Sequence, residues 1–382
     1  MSAPARNEPA LWEARLVGVV AAALSVFGIA AVYGASSIAA VQMGFSGWTF
    51  ALRQLGGVIV GLILLIVVAR SDYHVWQRLA WPLLGISLVL VLIPVLPGMG
   101  SIAPQINGSR RWINLGLVTI QPSEIAKFTV VAWTAMLATR KGDTIREFKR
   151  GVLPFLVVLA PVAGLILIEP DFSTAALLFL LAGIVLFTAG ARIGHFLLLD
   201  VIAVPLAWRE MLSVQYRLAR VLTFLSPGAD LSEANWQITQ SMIGIGAGRL
   251  FGVGFGQGLQ KLGYLPYAYS DFLFSTIGEE WGFIGTSVII LLFATYVGIG
   301  FRIARTAPDK FGMLLATGLT ALIGVTAFIH IAVTLALVPT TGLTLPFMSY
   351  GRSSLLISLL ATGVIINIGV SRAGAGAAER GR

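Results

Sequence analysis

"GYLPYAYSDFLFSTIGEEWGFIG", residues 263–285, leads without a break into "TSVIILLFATYVGIGFRIAR", residues 286–305. An apolar stretch of that length crosses a bilayer as a helix. Yet its entrance carries three carboxylates, Asp271, Glu279 and Glu280. Each would cost roughly 2.5–3.5 kcal/mol at the centre of a lipid-facing span. Glu279 and Glu280 are therefore expected to face the interior of a helix bundle and pair with cations.

The rest of the chain has the same character. Of its 382 residues 57% are hydrophobic and only 11% are charged, too few charges for a water-facing surface. Long apolar runs joined by short polar loops favour helices over a barrel, whose strands would be about ten alternating residues. Ten runs are long enough to cross: 15–35, 52–70, 78–96, 122–139, 151–168, 172–190, 193–209, 272–301, 312–336 and 351–371. The fold expected is an all-α integral membrane bundle of ten transmembrane helices.

Basic residues set its orientation. With both ends cytoplasmic, the inner loops gather most of the 26 Lys and Arg, including Arg140, Lys141, Arg146, Lys149 and Arg150, and the first outer loop, 36–49, carries no charge. The excess of nine positive charges then belongs to cytoplasmic loops and calls for no nucleic-acid partner. The polar start, 1–14, lacks a basic n-region and reads as a cytoplasmic tail ahead of a retained first span. Residues 15–371 form one membrane domain, and 372–382 a second cytoplasmic tail. There is no cysteine, and His74, His195 and His330 do not cluster, so no thiolate or histidine metal site is expected.

Outer charges concentrate in two loops, 97–121 and 210–271. The second, between spans seven and eight, is long enough to be functional. Within it "NWQITQSMIGIGAGRLFGVGFGQG", residues 235–258, is too apolar and glycine-rich for a solvated loop. It is expected as a re-entrant or interfacial segment tucked against protein, its glycines serving close packing.

Asp271 stands where this loop enters span eight. It can cap the helix, as Asp commonly does, or do chemistry. Glu279 lies eight residues on, near the same helix face, with Glu280 rotated by about 100°. Glu124 and Lys127 stand three apart and either satisfy each other or face a cavity where Lys127 meets an anion. Arg110 and Arg111 lie in the first charged outer loop. Arg217 and Arg220, i and i+3 on an amphipathic segment, suit bidentate phosphate recognition. Taken together these residues describe an outward-facing cavity with a carboxylate, several cations and amphipathic walls. A lipid-linked phosphate fits it.

Five motifs, "NGSRRWINLG…QPSEIAKF", "EPDFSTA", "YRLARVLTFLSP", "GRLFGVGFGQGLQKLGYLP…SDFLFSTIGEEWGFIG" and "GLTLPFMSYG…SS", resemble in order and spacing the SEDS family of FtsW, RodA and SpoVE. "FKRGVLPFLVVL" and the Pro-Thr-Thr-Gly form of the last loop look more like its division branch than its elongation branch. The resemblance implies a SEDS-type bundle acting as a peptidoglycan glycosyltransferase on the outer face of the bacterial cytoplasmic membrane. Its substrate would be lipid II, a disaccharide-pentapeptide on undecaprenyl pyrophosphate. The partners it implies are a class B penicillin-binding protein transpeptidase, other divisome proteins and membrane lipid. The family's essential acid maps onto Asp271. The substrate-binding set expected is Arg110, Arg111, Trp112, Glu124, Lys127, Arg217, Arg220, Lys261 and Ser349, with Glu279 and Glu280 as structural and electrostatic support. No protein metal site is expected; a divalent cation, Mg²⁺ or Mn²⁺, is the one candidate cofactor. An elongation-type polymerase of the same chemistry and a lipid II flippase using the same cavity are the rival readings. The chain departs from the family at Tyr267-Ala268-Tyr269-Ser270, where Glu-x-His-Thr is usual, at Arg352 and at Ser173.

Overall fold

The computed structural model describes residues 8–105, 109–116, 118–213, 218 and 233–380. Backbone that crosses lipid must satisfy its own polar groups, and the chain does so with α-helices. In order these are α1 (Glu8–Gln42), α2 (Thr49–Arg70), α3 (His74–Val95), α4 (Pro122–Lys141), α5 (Leu153–Ile168), α6 (Phe172–Thr188), α7 (Ile193–Ser213), α8 (Glu233–Gly248), α9 (Leu273–Arg305), α10 (Lys310–Thr334) and α11 (Arg352–Arg380).

Every one of the ten apolar runs carries a helix. Among the described residues seven helices, α1, α2, α3, α5, α9, α10 and α11, are long and apolar enough to cross a membrane. The three others that match expected runs fall short for different reasons. Charges interrupt α4 (Glu124, Lys127, Arg140, Lys141) and α7 (Asp200, Arg209, Glu210), and α6 has only 17 residues. Helix α4 tolerates Glu124 and Lys127 because neighbours cover that part of it. Trp133, Met136 and Lys127 are all buried, and the helix packs against α3, α6 and α10.

Helix ends depart from expectation where the sequence offers nothing to stop them. α1 extends to Gln42 through uncharged "SSIAAVQ", and α11 runs on to Arg380 through "AGAGAAER". Small residues set the closest helix crossings, as they do in membranes generally. A methyl group built on Gly363 of α11 would stand 2.7 Å from the Leu65 carbonyl oxygen of α2, and one on Gly318 of α10 would meet Val131 of α4 at 2.5 Å.

Two features lie within the charged outer loops. Residues 97–121 contain a β-hairpin, β1 (Ile113–Asn114) against β2 (Thr119–Ile120), with Ile113 opposite Ile120. The long loop contains α8, which lies along α9 so tightly that a methyl on Gly248 would stand 1.9 Å from the Gly278 carbonyl oxygen.

Helix α9 is not continuous. Gly282 takes φ 65° and ψ −163° and splits it into a short N-terminal half, 273–281, and a long C-terminal one. The break frees backbone groups, and the segment after α8 takes them up. Phe283 N–H donates to the Arg249 carbonyl at 2.9 Å and Ile284 N–H to Leu250 at 3.2 Å, while Val253 and Gly254 N–H donate to the carbonyls of Glu279 and Glu280 at 2.9 and 3.2 Å. Irregular backbone in a membrane protein needs partners within the protein, and these hydrogen bonds supply them although Phe251 and Phe283 beside the break are exposed.

Candidate active site

The short half-helix of α9 has its N-terminus at the loop that carries Asp271. Its N-cap position is Phe272, so Asp271 lies one residue outside the helix. Asp271 thus places a carboxylate at the mouth of a short helix, where the dipole favours negative charge. Asp271 is half-buried, its own N–H donating to the Tyr267 carbonyl at 3.1 Å. Its Oδ2 faces the 338–351 loop, 3.9 Å from where a methyl on Gly342 would stand.

That loop is a brace. Ser349 Oγ donates to the Ser270 carbonyl at 2.6 Å and accepts from Leu345 N–H at 3.0 Å. Tyr350 N–H donates to the Tyr269 carbonyl at 3.0 Å. Gln54 of α2 donates from Nε2 to the Met348 and Ser349 carbonyls at 3.3 and 3.2 Å. Ser349, expected to contact substrate, is 3% exposed and spends its hydroxyl on holding the residue before Asp271. Ser349→Ala leaves the Leu345 N–H and the Ser270 carbonyl without this partner and is expected to cost about 1–3 kcal/mol of unfolding free energy. Thermal unfolding in detergent, read against wild type, measures it.

The unusual "YAYS" has a packing explanation. Tyr269 stacks on Phe50 of α2 with centroids 5.1 Å apart, and Tyr350 meets both rings edge-on, 4.9 Å from Phe50 and 5.8 Å from Tyr269. Burial above all, then the neighbouring Tyr267, Tyr350 and Asp271, pushes the Tyr269 hydroxyl above the ordinary tyrosine range, so it stays a neutral phenol. Tyr267 is exposed, at φ 55°.

Glu279 and Glu280 end the short half-helix, where the dipole opposes negative charge. Both are buried, at 2% and 3% exposure. Donors supplied by the preceding loop offset the cost. Glu279 Oε1 accepts from Leu259 N–H at 2.7 Å, and Oε2 from Gln260 N–H at 3.3 Å. Glu280 Oε1 pairs with Lys261 at 3.2 Å. Lys261, expected among the substrate-binding cations, is thus turned inward to the glutamates.

The remaining cations fall into separate groups. Lys127 and Glu124 close on each other at 2.7 Å inside the bundle, the self-satisfied alternative of the two the spacing allows. Arg111 grips the turn between α5 and α6, donating from Nε to the Glu169 carbonyl at 2.8 Å and from one terminal nitrogen to the Pro170 carbonyl at 2.7 Å. Its other terminal nitrogen lies 3.9 Å from Asp171 Oδ2. Arg110 beside it is exposed and Trp112 half-buried. Gln121 N–H donates to Ser353 Oγ at 3.0 Å, tying the start of α4 to the start of α11 beside Arg352. Arg217 and Arg220 lie outside the described residues. Among the described residues no three His, Asp or Glu side chains converge to hold a metal ion.

Comparison with known proteins agrees with this architecture. The family model for the FtsW, RodA and SpoVE proteins, described as "Cell cycle protein", matches residues 14–373. A probable peptidoglycan glycosyltransferase FtsW of Trichlorobacter lovleyi is 44% identical over 346 residues, covering 91% of this chain and 90% of the relative. Stage V sporulation protein E of Bacillus subtilis is 37% identical, covering 92% and 96%. Among solved structures, a chain from a peptidoglycan synthase complex that coordinates polymerization and crosslinking superposes with TM-score 0.76 at 26% identity, covering 93% of this chain and 97% of that one. The rod shape determining protein RodA of Thermus thermophilus superposes at 0.66, also at 26% identity, covering 93% and 96%.

Proposed function

The chain belongs to the FtsW/RodA/SpoVE family of multi-pass membrane proteins, and from that membership we propose that it polymerises lipid II into glycan strands at the outer face of the cytoplasmic membrane. Septal synthesis in cell division is the role proposed, since the relatives at 38–44% identity include several that carry the FtsW name. In this topology ten helices cross with both termini cytoplasmic, and α8 belongs to the outer loop. A class B penicillin-binding protein is the partner that crosslinks the product, a reading supported by the structural likeness to a synthase complex.

One observation carries the chemistry. Asp271 is a half-buried carboxylate at the mouth of a broken half-helix, on a loop braced by Ser349, Tyr350 and the Phe50–Tyr269 stack. A sugar hydroxyl is too weak an acid to attack unaided. Asp271 takes the proton from the acceptor 4-hydroxyl as its oxygen bonds to the anomeric carbon of the donor. The bond from that carbon to undecaprenyl pyrophosphate breaks, and inversion at carbon one requires no covalent enzyme intermediate. A positioned base of this kind contributes roughly 10²–10⁴ in rate. Cations at the outer rim, Arg110 and Arg111 foremost, steady the pyrophosphate as it leaves.

Reconstitution with dye-labelled lipid II in vesicles tests the function. The expected outcome is polymerised glycan. Movement of labelled lipid II between leaflets without polymer would overturn the reading and make the protein a flippase.

A further inference from the structure

Glu169 ends α5 and is not used by the chemistry above. It is 2% exposed, and neither carboxyl oxygen has a hydrogen-bond partner among the described residues. A buried carboxylate without donors is costly, and such a group keeps its proton instead. Burial first, then the like charge of Asp171, pushes the Glu169 carboxyl up to about 8, with Arg111 pulling the other way. These are the two charged groups that act on it.

Both partners are already committed. Asp171 caps α6, accepting from Thr174 N–H at 3.1 Å and from Thr174 Oγ1 at 2.9 Å. Arg111 holds the two carbonyls of the turn, including that of Glu169 itself, yet a guanidinium has five N–H donors. The turn therefore contains one cation with donors to spare, one carboxylate engaged in capping and one buried acid. If that acid ionises, two carboxylates within three residues compete for a single guanidinium, and the one with no other donor has the stronger claim.

We propose that Glu169 is a proton-dependent positioning residue for Arg111. Its neutral form leaves the spare guanidinium donors of Arg111 to the pyrophosphate of the lipid-linked substrate, and its ionised form claims those donors for the turn. This rests on the lipid II reading for the identity of the anion, but not for the behaviour of the turn.

The test compares wild type with Glu169→Gln, which mimics the neutral acid, from pH 6 to 9.5. In wild type KM for lipid II is expected to rise several-fold as pH passes about 8, with kcat changing less. In Glu169→Gln KM should no longer depend on pH in that range. The pyrophosphate titrates identically with both proteins, so their difference isolates Glu169. Infrared spectroscopy supplies a readout independent of turnover. A protonated-carboxyl band present at pH 7 in wild type should vanish at high pH and be missing from Glu169→Gln. If neither protein makes polymer, only the polymerase reading fails, and equilibrium binding of undecaprenyl pyrophosphate across the same pH range takes the place of KM. Matching pH dependence in the two proteins, or a carboxyl band unchanged by the substitution, overturns the proposal.

Discussion

Lys261→Met is expected to lower the unfolding free energy by about 3–5 kcal/mol, the usual cost of stripping one partner from a buried ion pair. The side chains of Lys261 and Glu280 are 6% and 1% exposed and 3.2 Å apart. Without the ammonium, the buried Glu280 carboxyl loses its ion-pair partner at the unfavourable end of a half-helix. The same lysine donates to the Gly256 carbonyl, so the segment that heals the break at Gly282 loses a tether as well. Thermal unfolding in detergent reads the effect, and the double variant Lys261→Met/Glu280→Leu should recover much of it. Wild-type melting by the single variant would mean that the pair contributes nothing.

Asp271→Asn is expected to reduce polymerisation by roughly 10²–10⁴ while leaving lipid II binding within a few-fold of wild type. Asparagine keeps the shape of the side chain but cannot take a proton at neutral pH. The helix N-cap is Phe272, and a base role predicts that turnover falls far more than the melting temperature. Capping would give the opposite pattern, a stability loss of about 1 kcal/mol with turnover intact. Initial rates of glycan formation, with equilibrium binding of lipid II and a melting curve on each preparation, separate the two.

Much of the helical layout was legible because its cause is local. An apolar run long enough to cross lipid must be a helix, and every expected run carries one. The Glu124–Lys127 pair was equally legible, since three residues apart on a helix are neighbours. What escaped depends on residues distant in the chain. The break in α9 is signalled only by one glycine in "EEWGFIG". It is stable because 249–254 supplies hydrogen bonds from some thirty residues away. Lys261 looked like a free cation until the fold brought Glu280 to it across the loop. Ser349 looked like a substrate contact, but its hydroxyl meets a carbonyl 79 residues earlier. Tyr269 looked like a loss where a histidine is usual, and the stack with Phe50 and Tyr350 shows what the ring holds in place. Glu169 gave no local sign of its isolation, because burial is a property of the assembled turn.

The most direct measurement is a gel of glycan products made from lipid II by the purified protein with its class B penicillin-binding protein, run beside Asp271→Asn purified in parallel. Wild type should give a ladder of polymerised strands, and Asp271→Asn, folded and still binding lipid II, should leave the substrate monomeric. Equal ladders from the two proteins, or none from wild type, would contradict Asp271 as the base of a lipid II polymerase.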